Sequence, residues 1–163
     1  MNKDKSIQPI YTNWQIFSIT LLRVLIGWHF LYEGLIKLYT PAWSAKSYLE
    51  GAIGPFASLF ENMAQNNSIL NIVNVANEWG LILIGLGLFI GLFSKPCKLS
   101  GIALLLLYYL AYPPFAGFGT NIHVEGSYWI VNKNLIEMAA LFVLLVFPSS
   151  KITGLDKFLF NTK

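Results

Sequence analysis

The sequence predicts an all-α protein, a four-helix transmembrane bundle with a long, partly helical outer loop between the first two helices. The first observation is composition: of 163 residues, 55% are hydrophobic and only 12% are charged. Soluble domains carry about 25% charged residues, so a soluble enzyme, a nucleic-acid binder and a disordered chain all fit poorly. The second observation is that the apolar residues form long continuous runs, which favour helices over the alternating strands of a membrane barrel. The length allows one domain, residues 1–163.

The predicted helices cover about residues 15–38, 76–95, 98–113 and 132–148. A helix needs about 20 mostly apolar residues to cross a bilayer, and the last three segments reach that length only with amphipathic flanks. The first segment is too long, and too often interrupted by ionisable residues, to be a signal peptide. In the outer loop, apolar residues at helical spacing over 43–59 predict a segment that lies on the membrane surface or caps the bundle.

Basic residues cluster on one side of the predicted membrane. They occupy the N-terminal tail, the turn between helices two and three, and the C-terminal tail: Lys3, Lys5, Lys95, Lys98, Lys151, Lys157 and Lys163. Because positively charged loops stay in the cytoplasm, we expect both termini to be cytoplasmic. The single cysteine, Cys97, lies in the same turn and cannot form an internal disulfide.

The first predicted helix carries four ionisable residues on one face. At 100° per residue, Arg23, His29, Glu33 and Lys37 fall within an arc of about 120°. Such residues in a membrane helix normally face the interior or a wet cavity. Arg23 lies about 15 Å along the axis from Glu33, which is too far for direct contact.

Glu137 lies about one turn inside the outer end of the fourth helix, so we expect it at the depth of Glu33 and Lys37. Two carboxylates and one ammonium at one level would form a compact cluster in which one acid holds a proton. His29 lies another turn deeper and would extend this cluster into a proton path. The candidate catalytic residues are therefore His29, Glu33 and Glu137, and Arg23 and Lys37 are candidates for holding a cofactor.

Structural roles for the same residues stay open. Glu33 and Lys37 at i, i+4 are an ordinary helix pair, and Lys37 can extend outward to water. Glu137 is favoured near a helix N-terminus by the helix dipole. Arg23 can likewise extend toward the cytoplasm, and His29 can be a satisfied core residue.

The sequence predicts no haem, flavin or metal site. His123 and Glu125 lie two residues apart in the second outer loop, but no further pair of metal ligands stands near them. The chain has neither a bis-histidine spacing nor a cysteine pair, and it lacks a dinucleotide-binding fingerprint.

Three stretches resemble one known family. Residues 22–38 read LRVLIGWHFLYEGLIKL and are followed by PAWSAKSYL and GPFASLF. With WGLILIGLGLFIGLFSK at 79–95 and GLDKFL at 154–159, this order resembles the DoxD/DoxX family of small four-helix bacterial membrane proteins.

The resemblance implies a subunit of a bacterial inner-membrane redox assembly. DoxD is the small subunit of a thiosulfate:quinone oxidoreductase, so the resemblance implies quinone as cofactor and a partner subunit or a homo-oligomer. The expected surroundings are the lipid bilayer, with no nucleic acid. One alternative is a non-catalytic membrane scaffold or anchor for a partner protein. A less favoured one is a small-anion transporter that uses Arg23 and Lys37 as counter-charges.

Overall fold

In the computed structural model, which describes residues 11–115 and 127–160, the chain is mostly helical. The elements in chain order are α1 (Asn13–Tyr39), α2 (Lys46–Glu50), α3 (Ala57–Gln65), α4 (Asn67–Ile90), α5 (Ser94–Ala111), β1 (Ser127–Tyr128), β2 (Val131–Asn132), α6 (Lys133–Val146), α7 (Ser150–Thr153) and α8 (Asp156–Phe160). The two short strands form an antiparallel hairpin. The all-α prediction is therefore confirmed at the level of secondary structure.

The main core lies between α1, α4, α5 and α6. Helix α1 packs chiefly against α4, and α5 packs chiefly against α6. All four helices contribute buried apolar side chains to one cluster: Ile26, Phe30, Leu81, Ile84, Leu88, Leu105, Leu141 and Leu144. Burial of this cluster fixes which face of each helix points inward.

Two glycines let α1 and α4 cross closely. A Cβ atom on Gly85 would collide with the backbone of Leu31, and one on Gly27 would collide with the backbone of Phe89. Small residues at such a crossing allow the two helix backbones to approach. The crossing holds the ionisable face of α1 at a fixed rotation relative to α4.

Helix α4 begins nine residues before the predicted start of the second helix. Asn66 caps it, because its side-chain oxygen accepts hydrogen bonds from the backbone N–H groups of Ser68 and Ile69. Asn74, which precedes the predicted start at residue 76, therefore lies within the helix, as does Asn77.

The other helix ends differ less from the prediction. Gly91 ends α4 in the left-handed region, at φ +72°, so the helix stops before residue 95 and α5 already begins at Ser94. The Thr12 capping box starts α1, and Asn132 caps α6. Pro148 follows closely after the end of α6, where the missing N–H of proline prevents continuation.

The outer segment between α1 and α4 is partly helical, as predicted. Helices α2 and α3 bury a second apolar cluster against the ends of α4 and α5, formed by Ala45, Leu49, Phe60, Ala64, Leu70 and Ala111. The carbonyl of Ala111 accepts hydrogen bonds from the N–H groups of Ile53 and Gly54. Asn74 accepts another from the N–H of Ala45 at 2.8 Å, so this segment is fixed over the ends of α4 and α5.

Two helices of the described ranges, α1 and α4, are long and apolar enough to cross a membrane, judged by length and composition. Helices α5 and α6 have 18 and 14 residues, which is below the usual span of about 20. The coarse expectation of a helical, membrane-associated protein is supported, and the count of four crossings stays a prediction.

Two of the basic segments lie at the same end of the described structure. The N–H groups of Leu155 and Asp156 donate to the carbonyls of Ile90 and Gly91, so α8 begins beside the turn between α4 and α5. The basic residues of that turn and of the C-terminal segment therefore lie at one end of the protein. Lys3, Lys5, His123, Glu125 and Lys163 lie outside the described residues.

Candidate functional site

A cavity of about 340 Å³ opens at the end of the protein covered by α2. Its walls come from α1, α4, α5, the start of α6 and the segment that leads into α2. The lining residues are His29, Phe30, Glu33, Lys37, Trp43, Ser44, Ala45, Tyr48, Asn77, Leu81, Leu105, Tyr108, Lys133 and Asn134. Three predicted site residues of α1, namely His29, Glu33 and Lys37, therefore share one cavity.

His29 and Glu137 form a direct pair at this wall. The Nδ1 atom of His29 lies 2.8 Å from Oε1 of Glu137, and the Glu137 side chain is largely buried. When the carboxylate is ionised, it accepts a hydrogen bond from the Nδ1–H of the imidazole. The tautomer is then fixed, and Nε2 is the ring nitrogen that can accept or give a proton.

Glu33 and Lys37 form a second, separate pair. The Nζ atom of Lys37 lies 2.9 Å from Oε2 of Glu33 and 5.7 Å from the centroid of the Trp43 ring. This differs from the expected cluster, because Glu137 contacts His29 rather than Glu33 or Lys37. The physical reason is that α1 continues for ten residues after His29, whereas α6 begins only four residues before Glu137. Helix α1 therefore extends further at this end, and Glu137 meets the deeper residue.

A polar pair from α4 and α5 completes the lining, and the sequence analysis missed it. The side-chain N–H of Asn77 donates to the Tyr108 hydroxyl oxygen at 2.6 Å. The other amide atom of Asn77, Oδ1, is buried without a partner among the described residues. The sequence contains a hint of Asn77, because it is a polar residue at the start of an apolar run. Tyr108, taken alone, is typical of an aromatic residue at a membrane interface.

Two further tyrosines, Tyr48 of α2 and Tyr112 at the end of α5, pack beside this pair. The Tyr48 ring packs against the rings of Tyr108 and Tyr112, with centroids 5.8 and 4.6 Å apart. The Tyr112 hydroxyl donates to the Tyr48 carbonyl at 2.8 Å. Burial raises the pKa of the Tyr48 and Tyr112 phenols, so both stay neutral at physiological pH and act as hydrogen-bond donors.

Arg23, a predicted cofactor-binding residue, does not line the cavity. It is only 2% exposed and lies ten residues before Glu33 in α1, which is about 15 Å along the helix axis. Its guanidinium is closely packed against the backbones of Gly91 and Gly154, where a Cβ on either glycine would collide with Nη1. Arg23 therefore does not lie beside Lys37 at this cavity, and its role in holding a cofactor stays a prediction.

Arg23 belongs instead to a buried charge cluster with Lys98 and Asp156. All three side chains are buried, and Asp156 acts on both cations electrostatically. One Asp156 carboxylate oxygen accepts a hydrogen bond from the N–H of Ser94 at 3.1 Å. The cluster joins α1, α5 and the C-terminal segment, and sequence spacing alone could not reveal it.

No group of three potential metal ligands occurs among residues 11–115 and 127–160. Comparison with protein-family models, with curated proteins and with solved structures gives no match for this chain. The site is therefore interpreted from its own geometry.

Proposed function

We propose that this chain is a multi-pass protein of the bacterial inner membrane in which α1, α4, α5 and α6 form a four-helix transmembrane bundle with both termini in the cytoplasm. Large apolar side chains on the outer faces of all four helices support this. One example from each is Leu25 at 56%, Leu83 at 62%, Leu107 at 52% and Phe142 at 63% exposed. Contact with lipid accounts for such surfaces, since exposed apolar patches of this extent are rare on soluble monomers.

We further propose that the cavity binds the head group of a quinone, and that the chain is the membrane subunit of a quinone-linked oxidoreductase. The observation that carries this proposal is the His29–Glu137 pair at the wall of a cavity whose deeper lining is apolar. A quinone, when bound, accepts two electrons and two protons. Phe30, Leu81 and Leu105 provide the apolar contacts that a ring requires.

The His29–Glu137 pair suits proton delivery at such a site. Glu137 fixes the imidazole through Nδ1, so Nε2 can donate a hydrogen bond when the ring is protonated and transfer that proton to a ligand oxygen. Glu137 then stabilises the charged imidazole between transfers. Lys37 and Glu33 stand nearer the opening, where they can exchange protons with water.

The electrons must come from another redox group. A partner subunit that oxidises a donor would supply them, and thiosulfate is the donor that the DoxD/DoxX resemblance implies. The described residues provide the quinone site and the proton path in this assignment.

The test is equilibrium binding of decylubiquinone to the purified protein in lipid nanodiscs. We expect saturable binding by the wild type and a fivefold to thirtyfold weaker affinity for His29→Leu, which corresponds to the loss of about one hydrogen bond. Glu61→Gln, on the exposed face of α3, serves as the control and should bind like the wild type. Absence of saturable binding by the wild type would overturn the proposal and leave a membrane scaffold.

A further inference from the structure

We infer that Tyr108 and Asn77 form a second hydrogen-bonding pole of the cavity, so that the site takes a head group with two acceptor oxygens. The inference rests on the proposed function, because it describes how the same cavity holds its ligand. His29 with Glu137 joins α1 to α6, whereas Asn77 with Tyr108 joins α4 to α5. The two polar pairs therefore come from four different helices.

The hydroxyl of Tyr108 has a hydrogen to donate. Its oxygen accepts a hydrogen bond from Asn77 at 2.6 Å, so its own O–H must find another acceptor. In the described part of the chain no acceptor for this O–H is present. A buried polar group without a partner is costly, and a ligand oxygen in the cavity would remove that cost.

The neighbouring phenols are different. The Tyr109 O–H donates to the Ile130 carbonyl at 2.9 Å, and the Tyr112 O–H donates to the Tyr48 carbonyl at 2.8 Å. The Tyr48 O–H points to the Tyr108 carbonyl at 3.5 Å. Of these four tyrosines, Tyr108 is the one whose hydroxyl hydrogen remains available to the cavity.

The Asn77 amide determines which hydrogen is available. In the orientation described, the amide N–H donates to the Tyr108 oxygen, so the Tyr108 O–H is available to a ligand. The Asn77 Oδ1 atom is buried, so Asn77 acts by orienting the Tyr108 hydroxyl rather than by contacting the ligand through this oxygen.

The rest of the lining indicates a ring-shaped ligand. On the α1 wall each basic side chain is matched by a carboxylate, Lys37 by Glu33 and His29 by Glu137, and Lys133 of α6 adds one further basic side chain to the lining. Phe30, Leu81 and Leu105 are buried and apolar. A flat ring with two carbonyl oxygens can accept a hydrogen bond from each polar pair and pack against these apolar side chains. A ligand with a single oxygen leaves one of the two pairs without an acceptor.

The experiment compares Tyr108→Phe with Tyr109→Phe, the adjacent residue on the same helix. Both variants lose one hydroxyl, but only the first loses the proposed contact. In nanodiscs we expect Tyr108→Phe to bind decylubiquinone about fivefold to thirtyfold more weakly than the wild type. We expect Tyr109→Phe to stay within twofold. Equal affinity of Tyr108→Phe and the wild type, with His29→Leu weakened, would overturn this inference and leave the proposed function standing.

A second measurement uses the wild type alone and does not depend on whether the variant folds. Infrared difference spectra of decylubiquinone labelled with ¹³C at one carbonyl or the other report each C=O stretch separately. Two hydrogen-bonded carbonyls should both absorb at lower frequency than in an apolar solvent. One unshifted carbonyl would contradict the second pole, and failure of the wild type to bind would overturn both the inference and the proposed function.

Discussion

The Oε1 atom of Glu137 lies 2.8 Å from the Nδ1 atom of His29, although 108 positions separate the two residues in the chain. This contact joins α1 to α6 about one turn deeper than the Glu33–Lys37 pair. The two acidic residues of the site, Glu33 and Glu137, therefore each pair with a different basic residue.

The Glu33–Lys37 pair should contribute little to stability. The Glu33 side chain is 44% exposed, and solvent-accessible i, i+4 pairs contribute about 0.3–0.5 kcal/mol. We expect Glu33→Gln and the double variant Glu33→Gln/Lys37→Met to unfold within a few degrees of the wild type. Thermal unfolding in one detergent measures this. A large loss for Glu33→Gln that the double variant reverses would show a strongly coupled buried pair instead.

The buried cluster of Arg23, Lys98 and Asp156 should contribute much more to stability than the Glu33–Lys37 pair does. Asp156→Asn removes the carboxylate that acts electrostatically on Arg23 and Lys98 and that accepts a hydrogen bond from the N–H of Ser94. A hydrogen bond to a charged group contributes about 1.5–3 kcal/mol. We expect a clear drop in unfolding temperature, with decylubiquinone affinity retained at temperatures where the protein is folded. Glu61→Gln is the matched control on an exposed carboxylate. Weaker quinone binding without loss of stability would show that this cluster contributes to ligand binding, and it would contradict a purely structural role.

Two glycines of α4 provide a direct test of the α1–α4 crossing. Gly85→Ala places a methyl group against the backbone of Leu31, whereas a Cβ on Gly80 meets no atom within 4 Å. We expect Gly85→Ala to lower the unfolding temperature markedly and Gly80→Ala to leave it unchanged or raise it, since alanine favours a helix over glycine by roughly 0.5–1 kcal/mol. Similar effects of the two variants would contradict the close crossing.

Membrane orientation can be measured with two exposed lysines replaced by cysteine in a Cys97→Ser background. Lys46 lies in α2 on the proposed outer side, and Lys95 lies in the first turn of α5 on the proposed cytoplasmic side. A membrane-impermeant maleimide should label the Lys46→Cys variant in intact spheroplasts. It should label the Lys95→Cys variant only after lysis. The opposite pattern would invert the topology.

The sequence predicted the local features of the site well. Helical periodicity placed His29, Glu33 and Lys37 on one face of α1, because 100° per residue determines such a face without tertiary information. The start of α4 was misjudged because Asn66 caps the helix, and polar residues such as Asn74 then lie within the helix rather than before it.

The long-range features could not be predicted in the same way. The role of Arg23 depends on how Gly154 and Asp156 fold back against the turn after α4, and no spacing within α1 encodes that contact. The pairing of Asn77 with Tyr108 depends equally on the packing of α4 against α5. Both contacts depend on tertiary packing. From the sequence, therefore, only candidate residues of the same helix could be assigned to one site.

Photolabelling with an azido-quinone, mapped by mass spectrometry, shows whether a quinone occupies the cavity. We expect labels to concentrate on cavity residues such as Trp43, Tyr48 and Tyr108, and we expect excess decylubiquinone to remove them. Labels spread over the outer helix faces, at Trp14 or Trp79 for example, and unaffected by the competitor would show partition into lipid and would contradict a quinone site in this cavity.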